Sequence, residues 1–146
     1  MGMHEISSRP NVFREIGRTD PDANVARWLH GINDAELAIS ALTVREVRKG
    51  IVKQRARKPS IADEINARIA EAFAAFGERV LPVTREIADL WGALLGASEK
   101  HVDDTGLAAT ARVHGLVLVT RNLRHVAGRG VATLAPFKAS PKINKP

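Results

Sequence analysis

Between Leu37 and Leu134, short β-prone runs alternate with stretches in which apolar residues recur every three or four positions. That alternation predicts an α/β protein, a parallel sheet covered by helices. Strands are expected at LAIS (37–40), RVLPV (79–83), LVLVT (116–120) and VATL (131–134). The third is continuously apolar, as a strand buried on both faces should be. Ile87, Leu90, Trp91, Leu94 and Leu95 make one helical stripe, and Ile61, Ile65, Ile69, Phe73 and Phe76 make another. Both are read as core. A further helix over 105–114, capped by Asp103 or Asp104, ends at Gly115 just before the buried strand. Residues 24–30 look helical, whereas any strand before Asn11 would be short and polar (HEISS).

The 146 residues predict one domain over 1–137, followed by a basic tail over 138–146. A chain of this size buries roughly 68–70 % of its unfolded surface, enough for a core without staples. The absence of cysteine excludes disulfide scaffolds, thiol nucleophiles, zinc fingers and iron–sulfur sites. The longest apolar stretch, 87–97, contains Asp89 and is too short to span a bilayer. A soluble, cytoplasmic protein with no membrane partner is expected. The segment FKASPKINKP (137–146), with three Lys and two Pro, reads as a frayed tail.

Lys and Arg number 22 against 16 Asp and Glu, a net charge of +6 that favours a polyanionic partner. Only two Trp, four Phe and no Tyr are available for stacking bases, so nucleic acid would be held through its phosphates. The densest positive field carries Arg45, Arg48, Lys49, Lys53, Arg55, Arg57 and Lys58, with Glu46 as its only acid. Val44, Val47, Ile51 and Val52 are expected to form the buried stripe of that helix, leaving the cations free to track a phosphate backbone. An ordinary solvated surface is the competing reading.

Glu46 follows the strand LAIS, and Asp104 opens a later helix. In an open parallel sheet the loops and first helical turns beyond the strands' carboxyl ends converge, so these two distant carboxylates are expected to meet. Such a pair suits Mg²⁺ or Mn²⁺, which take oxygen ligands and bridge to substrate phosphates. The bland alternative makes Thr43-Val44-Arg45-Glu46 a T-x-x-E capping box and the two aspartates ordinary helix-start residues. Asp103 and Asp104 point roughly 100° apart on a helix, so at most one faces a common site. The five histidines show no local ligand spacing and are read as structural.

The segments LAISALTVREVRKGI, VDDTGLAATARVHGLVLVTRN and GRGVATLAPF, in this order and spacing, resemble the PIN-domain ribonucleases, specifically VapC/FitB-like toxins of toxin–antitoxin pairs. PDANVARWL and FGERVLPV fit the same family's intermediate segments. The resemblance implies a three-layer α/β/α sandwich, an acidic cluster binding Mg²⁺ or Mn²⁺, endonucleolytic cleavage of RNA, a small inhibitory antitoxin as partner, and a homodimer. It also implies that Glu46 and Asp104 are metal-facing carboxylates and that Asn122 takes part in catalysis. Thr120, Arg45, Arg48 and Lys49 are implied contacts for phosphate or RNA.

One departure matters. The family opens with a strand running into D-T-N-V, whose Asp is a principal metal ligand; the corresponding residues here are Arg9, Pro10, Asn11 and Val12. Three residues after Asn122, where relatives often carry another Asp, stands His125. Glu5 is roughly 13 Å of extended chain from position 9, too far to substitute without a shift of the chain, whereas Glu15, expected on the next helix, could approach. Metal affinity is therefore expected to fall, with Arg9 pairing to Glu46 or Asp104 in the metal's place. The alternative function is a PIN-fold module that binds antitoxin or RNA and cleaves weakly or not at all. A DNA-binding regulator is disfavoured because no helix-turn-helix is recognisable.

Overall fold

The computed structural model describes residues 4–6, 22–120, 123–137 and 141–146, the first three by backbone alone. Five strands, β1 (His4–Ile6), β2 (Leu37–Ser40), β3 (Val80–Leu81), β4 (Val117–Val119) and β5 (Thr133–Leu134), form one sheet in the order β3-β2-β1-β4-β5. All four pairings are parallel, with Ile6 opposite both Ile39 and Val119. The polar HEISS run thus supplies the central strand. β3 stops at Leu81 because Pro82, which follows, has no N–H for a ladder bond.

The helices are α1 (Ala23–His30), α2 (Ala41–Arg57), α3 (Pro59–Phe76), α4 (Arg85–Leu95) and α5 (Val102–His114). They cover both faces. Successive residues of β2 point to opposite sides of the sheet. Leu37 and Ile39 join Val25 of α1 and Phe76 of α3, while Ala38 joins Leu107, Ala108 and Ala111 of α5. The result is the expected α/β/α sandwich.

Ser40 is fully buried, and its Oγ accepts the Leu42 N–H at 3.0 Å, capping α2 at its true start. Thr43 therefore lies inside the helix, so the T-x-x-E capping box does not form and Glu46 sits in the second turn. The stripe of α2 is narrower than expected: Ile51 is buried, Val44 and Val47 are half-buried, and Val52 is 60 % exposed. In α3, Phe76 is buried and Ile65, Ile69 and Phe73 are half-buried, but Ile61 is 38 % exposed. Length explains both corrections. A helix of 17 or 18 residues runs about 26 Å. Strand β2, with four residues, covers only about 13 Å. Among the described residues the far ends of α2 and α3 pack on each other, joined by Arg48 to Asn66 at 2.9 Å and Arg55 to Asp63 at 3.1 Å.

In α4, Ile87 is buried and Leu90, Trp91, Leu94 and Leu95 are half-buried, as its stripe requires. α5 begins at Val102, with His101 as its N-cap, so Asp103 and Asp104 occupy the first turn and neither caps it. Every residue from Asp104 to Ala111 is buried. Gly106 makes this possible: a Cβ there would lie 2.7 Å from Leu42 Cδ1 and 2.7 Å from Trp91 Cε2. Gly115, at φ 66°, ends α5 in the left-handed region that glycine adopts without strain, and the chain turns directly into β4.

The tail does not simply fray. Asn144 exchanges two backbone hydrogen bonds with Thr133, N–H to O distances 2.7 and 2.9 Å, forming an antiparallel bridge on β5. Among the described residues, no helix is long and apolar enough to cross a membrane.

Candidate metal centre at the carboxyl ends of the strands

α2 leaves the carboxyl end of β2, so its first turns stand above that end of the sheet. α5 runs into the amino end of β4, so its own N-terminus is brought to the same place. The 3₁₀ turn Leu123–Val126 follows β4 there as well. In the order β3-β2-β1-β4-β5 the chain winds away from β1 in opposite directions, and the crevice of such a sheet opens beyond the carboxyl ends. Glu46, Asp103, Asp104 and His125 all belong to these converging segments.

Asp104 is the buried anchor of the site. Its side chain is 7 % exposed, and Oδ2 lies 2.9 Å from His125 Nδ1. The His125 ring stacks on that of His101, with centroids 3.9 Å apart and planes inclined by 16°. His101 has φ 53° and ψ 43°, the one left-handed non-glycine residue among those described. That conformation costs about 1–3 kcal/mol and persists where the surroundings impose it. The His101 carbonyl accepts both the N–H (2.9 Å) and the hydroxyl (2.8 Å) of Thr105. Trp91 Nε1 donates to the next carbonyl, that of Val102, at 2.8 Å.

Glu46 and Asp103 are joined through a cation. Arg45 Nη2 lies 3.0 Å from Glu46 Oε1 and 2.6 Å from Asp103 Oδ1. The hydrogen bond to Asp103, and then that to Glu46, raise the pKa of the guanidinium above its usual value, against the opposing effect of burial. Asp103 and Asp104 diverge as helical geometry demands, one toward α2 and the other toward His125. Thr120, just past β4, is 2 % exposed, and its N–H donates to Leu134 O at 2.9 Å. Arg48 and Lys49 are exposed on α2. Arg9, Glu15 and Asn122 lie outside the described residues.

Two of the histidines, which local spacing left as structural, meet Asp104 in the structure. His101, Asp104 and His125 each offer one ligand atom, all within 4.8 Å of one another, and Glu46 is not part of that group. Reading the chain for local spacing missed the two imidazoles because 24 residues separate them. The signal that was present is the occurrence of His125 where an acid is usual, together with His101 three residues before Asp104.

In a parallel α/β/α sandwich the crevice beyond the carboxyl ends of the strands is where ligands bind, and the carboxylates of α2 and α5 gather there. The chain belongs to the PIN-domain family, whose sequence profile matches residues 11–128. It is 29 % identical over 138 residues to VapC ribonuclease Y4jK of Sinorhizobium fredii, covering 88 % of this chain and 94 % of that one. It is 27 % identical over 134 residues to toxin FitB of Neisseria gonorrhoeae, covering 87 % and 94 % of the two chains. The crystal structure of FitAcB from Neisseria gonorrhoeae superposes with a TM-score of 0.80 at 24 % identity, over 92 % of this chain and 99 % of that one. The fold is thereby that of a PIN domain.

Proposed function

We propose that this protein is the toxin of a toxin–antitoxin pair, a divalent-metal-dependent endoribonuclease restrained by a small antitoxin. The observation that carries the reading is the gathering of Glu46, Asp103 and Asp104 at one end of the sheet, the first two within reach of a single guanidinium. The relatives named a ribonuclease and a toxin support it.

A bound divalent cation supplies a lowered pKa for its water and charge neutralisation at the phosphate. Asp104 would hold that cation, with Glu46 on α2 as the second carboxylate toward it. Asn122 and Thr120 position water or phosphate, and the exposed cations Arg48 and Lys49 hold the RNA through its backbone. The protein acts in the cytoplasm as a homodimer.

The fit to Mg²⁺ is poor on the described residues. Mg²⁺ requires oxygen donors and keeps several waters. Two of the three gathered carboxylates are engaged by Arg45, and the third hydrogen-bonds an imidazole. This arrangement favours a second reading, a PIN-fold module that binds antitoxin or RNA and cleaves weakly.

RNA degradation by the full chain with Mn²⁺, compared with Asp104→Asn, separates the two. Loss of cleavage in the variant supports the nuclease. Equal cleavage in both rejects Asp104, and cleavage in neither favours the binding module.

A further inference from the structure

We propose that His101, Asp104 and His125 bind a borderline divalent cation of the zinc class, Zn²⁺ or its congeners Co²⁺ and Ni²⁺, in preference to Mg²⁺. The inference deepens the proposed metal site by naming its cation, and it rests on that reading only for the site's role in catalysis.

The donor set carries the argument. Two imidazole nitrogens and one carboxylate oxygen lie within 4.8 Å of one another. Imidazole suits zinc, copper, iron and nickel, whereas magnesium takes carboxylate, carbonyl and water. Three protein ligands with a fourth position open is the arrangement of a catalytic zinc site. His101 is exposed, His125 half-buried and Asp104 buried, so the group of donors reaches from the interior to the surface. The His101 ring lies stacked on that of His125, whose Nδ1 is 2.9 Å from Asp104 Oδ2, so both imidazoles stand beside this carboxylate.

Ligand atoms around a tetrahedral zinc, at about 2.0–2.2 Å from the metal, lie about 3.4 Å apart. Asp104 and His125 are already nearer than that, at 2.9 Å. The stacked rings hold their nitrogen lone pairs in nearly parallel planes, so the exposed His101 ring must turn for both to converge on one cation. Loading replaces the contact between Asp104 and His125 with bonds from both to the metal and opens the stack.

The test uses the full-length chain stripped of metal. Co²⁺ titration followed by its visible d–d bands, and Zn²⁺ competition against a chromogenic chelator, are expected to show one equivalent bound. Mg²⁺ in large excess is expected not to displace it. Asp104→Asn, His101→Ala and His125→Ala are each expected to weaken Zn²⁺ binding by at least about tenfold, the lower range for disturbing a metal's surroundings. Circular dichroism checks that each variant is folded. His125→Asp, which restores an oxygen donor, is expected to shift preference toward Mg²⁺ and Mn²⁺ and keeps the test decisive if an alanine variant fails to fold. Binding of Co²⁺ and Zn²⁺ no tighter than Mg²⁺, or unchanged binding in folded His101→Ala and His125→Ala, overturns the proposal. Metal binding as expected with no RNA cleavage under any cation overturns the nuclease and leaves this site standing.

Discussion

Nδ1 of His125 and Oδ2 of Asp104 meet at 2.9 Å across 21 residues of sequence, at the end of the sheet where α5 begins. The contact joins the most buried acid of the candidate site to a residue that stands where an acid was expected. It turns an oxygen-rich corner into one with mixed donors, and the chemistry of the site follows from that exchange.

Arg45 holds Glu46 and Asp103 together at the rim, with its own side chain 54 % exposed. Exposed ion pairs contribute about 0–1 kcal/mol. Arg45→Gln is therefore expected to cost under about 1 kcal/mol in urea denaturation, while raising Mn²⁺ affinity several-fold by releasing two carboxylates. Isothermal titration with Mn²⁺ checks the second part, and unchanged affinity counts against Glu46 as a metal-facing group.

Glu46→Gln distinguishes a helix-capping role from a functional one. Since Ser40 caps α2, the substitution is expected to leave the urea midpoint nearly unchanged and to reduce RNA cleavage in Mn²⁺ by at least about tenfold. A large stability loss with full cleavage would return Glu46 to the scaffold.

Ser40→Ala removes that cap. The expected cost is about 1 kcal/mol, seen as a fall in Tm of about 3 °C for a domain of this size.

Gly106→Ala tests the closeness of α5 to α2 and α4. Alanine gains about 1 kcal/mol in helix propensity. The added methyl would also sit 2.7 Å from both Leu42 and Trp91, and overpacking of this kind costs about 1–3 kcal/mol. Trp91 is pinned by its bond to Val102 and cannot swing freely, so net destabilisation is expected in equilibrium urea unfolding.

Lys49 and Lys53 stand one helical turn apart, both exposed. Lys49→Gln and Lys53→Gln are each expected to weaken RNA binding and to reduce the slope of log affinity against log salt by about 0.7. Filter binding at several salt concentrations checks this. Arg45 is expected to move that slope less, since its charge is already met by two carboxylates.

Much of the fold was legible because burial and periodicity agree in LAIS and in the stripe from Ile87 to Leu95. The central strand was not, since His4-Glu5-Ile6 lacks the apolar run that a strand in the middle of a covered sheet usually carries. The start of α2 was misread because both Ser40 and Thr43 are good capping residues, and only the end of β2 decides between them. Asp104 and Glu46 stood out through their positions after recognisable segments. The stacked histidines did not, because no local rule brings position 101 to position 125; the parallel sheet does that, by setting the start of α5 beside the turn after β4. The basic stretch of α2 was visible as charge, yet its partners Asp103, Asp63 and Asn66 come from other helices and could not be seen from spacing.

The bridge between Asn144 and Thr133 bears on how this molecule meets others. A strand at the rim of a sheet offers unpaired backbone groups on which a foreign segment can align. Here one rim is a two-residue strand stopped by proline, and the other is two residues long with the chain's own terminus laid against it. Among the described residues, neither rim offers a long run of strand backbone for a visiting strand to copy.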